Sequence, residues 1–208
     1  IRARMQFLAR GESRRWMSPE TLRSLEDDAD PWYCSPAIDD SEVPLRGIPI
    51  GLIHAAPVID EVALRRDAET VVNLTHCSQS SIDQAVLVAT AVARVLSGAS
   101  SQSSLIGDLA SLEIAPILDP IASGLSTYVQ AERFEDAVFA AAALGGPADT
   151  RAAFAGALAG AHFGAGGIPQ TLIDQLEGRI YLTLAAPWFY RTIQLMSGRG
   201  IAMTPDVH

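Results

Sequence analysis

With 208 residues and an apolar share of 49%, the chain has the length and composition of one globular domain with a sizeable core, not of a disordered segment. A formal net charge of −9 argues against a nucleic-acid phosphate binder and against an anionic-membrane binder. Its two cysteines, Cys34 and Cys77, fit neither a C-x-x-C nor a zinc-ligand spacing, so a reduced, cytoplasmic setting is the default expectation.

The first residue, Ile1, opens directly into helical sequence. No basic segment followed by an apolar core reads as a secretory signal. Such a start suggests a fragment, a processed chain or the ordered part of a longer one. Residues 1–10 carry Met5, Leu8 and Ala9 at helical spacing and stop at Gly11. Arg2, Arg4, Arg10, Arg14 and Arg15 make this end basic, which reads as a solvated helix face. Ser18-Pro19-Glu20-Thr21 is a helix start: a serine cap, proline at the first helical position, then an acid. Leu22 and Leu25 follow, before the acidic stop Glu26-Asp27-Asp28.

Residues 30–44 read as a long loop containing Trp32, Tyr33 and the pair Asp39-Asp40, and long loops tend to be functional. Residues 45–56 are apolar and predict a short buried helix. Residues 59–74 and 81–97 predict two amphipathic helices, the second with Ile82, Ala85, Val86, Ala89, Val92, Ala93 and Leu96 on one broad face. A serine- and glycine-containing linker closes it at 97–101. Shorter helical stretches cover 104–115 and 116–128, and a further helix covers 169–191, with Leu172, Ile173, Leu176, Ile180 and Leu184 at helical intervals.

Between two alanine-rich runs, 134–143 and 151–162, sits Leu144-Gly145-Gly146-Pro147-Ala148-Asp149-Thr150. The paired glycines and the proline stop the first helix, and Asp149 or Thr150 is expected to open the second as its N-cap. Free backbone N–H groups at such a turn can face an anion. Gly156, Gly160 and Gly164 form a ladder expected to allow close helix packing. The apolar run 152–168 is interrupted by His162 and falls short of the ~18 consecutive apolar residues of a membrane span. No internal repeat or strand alternation appears. The sequence predicts a single all-α domain over 1–208.

The run from Phe134 to Ile168, with LGG-x-x-DT followed by AGALAGAHFG and IP, resembles the C-terminal signature of the ADP-ribosylglycohydrolase family. That family usually reads G-G-D-x-D-T here, its two aspartates and threonine binding a pair of magnesium ions. Asp149 and Thr150 match the second aspartate and the threonine, and Pro147 stands in the seat of the first. Upstream, Asp40 to Arg46 followed by Gly47-Ile48-Pro49-Ile50-Gly51-Leu52 is similar to the family's G-N-G-x-x-M-R and P-I-G-L. Ser41 replaces the asparagine there and Asp40 the first glycine. Leu74-Thr75-His76 matches L-T-H. The family's G-D-A-x-G opening and its T-D-D-T motif are not found in these residues.

The resemblance implies an all-α fold and hydrolysis of an ADP-ribosyl glycosidic bond. In that chemistry, magnesium would bind ribose hydroxyls and a water and stabilise charge at the anomeric carbon. It implies Asp149 as the catalytic group, Asp149 and Thr150 as metal ligands, and Asp40, Ser41, Arg46, His76, Gly145 and Gly146 as residues bordering the ligand. The ligand would be ADP-ribose or a related ribosyl nucleotide, with no nucleic acid and no membrane as partner; a homo-oligomer is left open. With Pro147 in a ligand seat, the metal site is expected to be incomplete and catalysis impaired or lost. The alternatives are a non-catalytic ADP-ribose-binding or scaffold domain, and a remodelled enzyme acting on a ribosyl or nucleoside substrate. Arg46 is also expected to pair with Asp40 or Glu42, and His54 and His162 to be packed and hydrogen-bonded. Cys77 lacks any nameable acid or oxyanion donor, so it is not read as a nucleophile.

Overall fold

A computed structural model of the chain describes residues 1–26, 34–36, 40–114 and 116–196. The acidic stop at Asp27-Asp28, the aromatics Trp32 and Tyr33, Asp39 and the tail beyond Met196 lie outside the described residues. Helices make up the fold, and the described residues contain no sheet, only one isolated parallel bridge between Ser35 and His76. The chain divides into two compact units, Ile1–Gly167 and Ile168–His208. None of the described helices is long and apolar enough to cross a membrane.

The first unit begins with α1 (Arg2–Ala9), a 3-10 turn (Glu12–Trp16) and α2 (Pro19–Leu25). Ser18 caps α2 as its sequence predicts, accepting the Thr21 N–H at 3.1 Å with Pro19 in the first turn. A second 3-10 turn (Val43–Arg46) runs into α3 (Gly47–His54). Then follow α4 (Glu61–Val72), α5 (Gln79–Ser97), α6 (Leu105–Ala110), α7 (Asp119–Gln130), α8 (Phe134–Ala143) and α9 (Ala148–Phe163). Asp60 and Ser78 cap α4 and α5 through their side chains, and Gly98, at φ 73°, ends α5 in the left-handed conformation.

Helix α5 is the axis of this unit. It is apolar around most of its circumference, and Ala85 to Ala93 are buried without interruption. One side, with Ile82, Val86 and Ala93, packs with Val43, Ile50 and Leu64. The other, with Leu87, Val88 and Val95, packs with Ile121, Leu125, Phe154 and Leu158 of α7 and α9. Each such aliphatic side chain contributes about 1.5–3 kcal/mol when fully buried, so α5 serves two clusters at once.

Close approach to α5 is achieved by glycines on α3, not by those on α9. A Cβ at Gly47 would collide with the Ala85 carbonyl oxygen, and one at Gly51 would lie 2.5 Å from that of Ala89. The expected ladder on α9 divides by role instead. A Cβ at Gly156 would reach Val138 at 3.3 Å, Gly160 has looser surroundings, and Gly164, at φ 73°, terminates the helix. His162 Nδ1 lies 3.0 Å from the Tyr128 hydroxyl, whose pKa burial pushes up to about 12, and His54 Nε2 lies 2.9 Å from Asp67.

In the second unit the helix expected over 169–191 is broken into α10 (Gln170–Asp174) and α11 (Arg179–Met196). Gly178, at φ 70°, takes a conformation that interrupts a right-handed helix. Helix α11 continues through Pro187 and exposes Ile180, Tyr181, Leu184, Trp188 and Tyr190.

Candidate functional site

The Ser18 cap does more than start α2. Its hydroxyl donates to Asp40 Oδ2 at 2.5 Å, and its N–H donates to Glu42 Oε2 at 2.8 Å. Three residues on, Thr21 donates its hydroxyl to Glu42 Oε1 at 2.6 Å. Arg46, one helical turn after Glu42, sends one guanidinium nitrogen to Thr21 Oγ1 at 2.9 Å and another to Thr75 Oγ1. It also lies 3.6 Å from Glu42, which realises the expected carboxylate pairing. Thr75 and His76 follow α4, and their side chains are fully buried.

Donor and acceptor capacity links these groups into one chain. Arg46 can only donate, so it occupies an acceptor lone pair of Thr75. Thr75 Oγ1 also lies 2.9 Å from His76 Nδ1, where the hydroxyl has a proton to give and a second lone pair to accept with, and His76 Nε2 lies 3.1 Å from Asp40 Oδ2. That last contact is close but poorly aligned, so it acts as a charge-dipole contact more than as a straight hydrogen bond. Burial pushes the Asp40 carboxyl up, yet His76, the Ser18 hydroxyl and the Glu42 N–H together hold it below the ordinary carboxylate value. For Arg46, burial pulls the pKa down and the charges of Glu42 and Asp40 oppose it, with a net lowering.

A covalent link closes the same region. Ser35 donates its N–H to the Thr75 carbonyl at 2.7 Å, and Cys77 returns its N–H to the Ser35 carbonyl at 2.9 Å. This pairing sets the Cα atoms of Cys34 and Cys77 5.5 Å apart, within the usual disulfide range, and the two are disulfide-bonded. Thiol chemistry at Cys77 is thereby removed while the bond persists. The bond corrects the default expectation of reduced cysteines, which rested on spacing, and 43 positions of separation carry no readable spacing.

The glycine corner lies at the junction of α8 and α9. Gly145 and Gly146 both take positive φ, 70° and 58°, where a side chain is disfavoured. Pro147 occupies the N-cap position without a side-chain cap, so α9 starts earlier than an Asp149 or Thr150 cap requires. Asp149 and Thr150 are instead first-turn residues: the exposed Asp149 carboxylate accepts the Thr150 N–H at 2.8 Å, which suits the positive end of the helix dipole. The Thr150 hydroxyl is turned inward, 3.4 Å from Ser41 Oγ.

Ser41 thus joins the two segments singled out in the sequence. Asp40, Arg46 and His76 form the buried network on one side of it. Thr150, Asp149 and the two glycines form the corner on the other. His76 has no exposed surface and meets Asp40, so it does not itself border the corner. Ser18, Thr21, Glu42 and Thr75 complete the network; the sequence marks them as a helix start, an ion-pair partner and a motif residue but not as site residues, because cap and turn residues look alike whatever else they hold. Arg151, buried at 5% exposure, was also passed over. Its signal is a lone cation at the register of Phe154, Ala155 and Leu158 in an otherwise alanine- and glycine-rich helix.

The donor chemistry of the corner tests its fitness for metal. A magnesium ion takes about six oxygens in near-ideal geometry. The corner offers one exposed carboxylate and one hydroxyl already facing Ser41. Among the described residues, no three His, Cys, Asp or Glu side chains converge on one point. The donors among the described residues therefore do not by themselves fit a two-metal centre.

An all-helical fold in which a buried polar network meets a glycine corner through Ser41 is the class of protein that this geometry defines. A family model described as ADP-ribosylglycohydrolase matches residues 3–199, and the chain belongs to that family. No curated protein and no solved structure matches it.

Proposed function

We propose that the chain binds ADP-ribose or an ADP-ribosylated substrate at the surface where Ser41 meets the Gly145–Thr150 corner, and that magnesium-assisted hydrolysis there is impaired or lost. The single observation that carries this reading is the contact between Ser41 and Thr150, which draws both family-like segments to one place. Pro147 supports the second half: it replaces a carboxylate with a ring that offers no ligand oxygen and removes a negative charge beside the ligand. Asp149 and Thr150 would remain as the metal-facing pair, with Gly145 and Gly146 admitting the ribose close to the backbone.

Calorimetry with ADP-ribose, with and without magnesium, tests this together with an assay for ADP-ribose released from an ADP-ribosylated arginine peptide. Binding with little release is expected, and Pro147→Asp should raise magnesium-dependent release. Failure of ADP-ribose to bind under either condition refutes the site. Vigorous magnesium-dependent turnover by the unaltered chain refutes the impairment and leaves an active hydrolase, the alternative that family membership favours.

A further inference from the structure

The Gly145–Gly146 peptide has little to hold it. Neither residue has a side chain, and a Cβ built on either would touch nothing within 4 Å. Gly145 donates its N–H to the Ala142 carbonyl at 3.3 Å, a long bond. The firm restraint comes from Arg151, whose Nη1 donates to the Gly145 carbonyl at 2.5 Å. The same guanidinium is anchored on α7, through Nε to Ser123 Oγ at 2.6 Å and through Nη2 to Asp119 Oδ2 at 2.8 Å. A planar fork satisfied at all three nitrogens has one orientation, which a lysine ammonium cannot reproduce.

In a planar trans peptide the carbonyl and the following N–H point in opposite directions. Holding the Gly145 carbonyl against Arg151 therefore turns the Gly146 N–H away from the protein. Among the described residues that N–H has no acceptor, and Gly146 is exposed. We propose that Arg151 is a positioning residue: by gripping the Gly145 carbonyl it aims the Gly146 N–H at an oxygen of the bound ribosyl group. This rests on the proposed ADP-ribosyl site but assigns a role to a residue that does not touch the ligand. Without the grip, the pair keeps the long Gly145 N–H bond and the Gly146 carbonyl's bond from the Ala148 N–H at 2.7 Å, but nothing fixes the Gly145 carbonyl, and the donor is aimed only part of the time.

The test uses the full chain with Arg151→Met, Arg151→Lys and the milder Asp119→Asn, which loosens the anchor without emptying the buried site. Leu109→Ala on α6 serves as a control for general destabilisation. Two readouts are taken: ADP-ribose affinity by calorimetry, and the order parameter of the Gly146 amide by NMR relaxation. Arg151→Met is expected to weaken binding by about tenfold, the size of one lost charge-assisted hydrogen bond, and to lower the Gly146 order parameter from about 0.85 toward the flexible range below about 0.6. Asp119→Asn should shift both in the same direction by less, and Leu109→Ala should leave both unchanged. Wild-type affinity in Arg151→Lys overturns the proposal, since charge alone would then suffice. An unchanged Gly146 order parameter in Arg151→Met also overturns it, whatever the affinity does. If the unaltered chain binds no ADP-ribose, the site reading fails, while the order-parameter comparison still decides the role of Arg151. Should Arg151→Met not fold, Asp119→Asn carries both readouts.

Discussion

Asp40 is held between opposing influences, and acid reveals which one prevails. Burial disfavours its charge, but His76, Ser18 and the Glu42 amide outweigh burial and leave its folded-state pKa below the reference of 3.8. A depressed carboxyl stabilises the fold fully above the unfolded value and loses that contribution as pH falls through the folded one. The window is therefore below about pH 4. Replacing Asp40 with Asn should lower stability at pH 7, and the gap to the unaltered chain should narrow steadily below pH 4 in urea titrations. A gap that stays constant from pH 7 to pH 3 would show that Asp40 contributes no charge-dependent stability. Asp67 beside His54 has a shift of the same sign, so some acid sensitivity should survive the substitution.

At the scale of single elements, glycine acts through two separate mechanisms that substitution can tell apart. Gly51 lies where a Cβ would meet the Ala89 carbonyl at 2.5 Å and Val92 at 2.8 Å. Gly51→Ala should therefore force α3 off α5 and cost about 1–3 kcal/mol by overpacking. At Gly98 a Cβ would meet nothing, but φ is 73°, so Gly98→Ala should cost about 1–2 kcal/mol through backbone strain alone. Repacking Val92→Ala should recover part of the first loss and none of the second, as read from thermal unfolding of the double variants. Sequence reasoning located the helices well where a cap spoke, as at Ser18, and where apolar spacing was dense, as in α5. It erred where one glycine decided the outcome. Gly178 split a helix that periodicity carried straight through, and in the ladder on α9 Gly156 does allow a tight approach to Val138 while Gly164 ends the helix, the closer seam being that of Gly47 and Gly51 on α3. Nothing local in the sequence distinguishes a glycine that packs from one that turns.

For the whole molecule, the candidate site was proposed from motif order and not from local chemistry. Ser41 and Thr150 stand 109 positions apart, and only the fold sets their hydroxyls 3.4 Å from each other. Cys34 and Cys77 pose the same difficulty, since a pair 43 positions apart has no readable spacing. Closing a loop of that length removes unfolded-state freedom equivalent to about 4 kcal/mol in the chain-entropy account. Treatment with dithiothreitol, or the double change of Cys34 and Cys77 to Ser, should lower the thermal midpoint by several degrees, about what one to four kcal/mol produces in a chain of this size. An identical midpoint with and without reductant, together with two alkylatable thiols in the native protein, would refute the link.

The Cys34–Cys77 bond also turns part of the polypeptide into a closed ring that includes Asp40, Ser41, Arg46 and His76. A protease that nicks the backbone once inside this ring separates nothing. The two pieces travel together on an unreduced gel and part only after the sulfur bridge is opened. A preparation judged intact on an unreduced gel alone can therefore already be cut beside Asp40, Ser41 and Arg46.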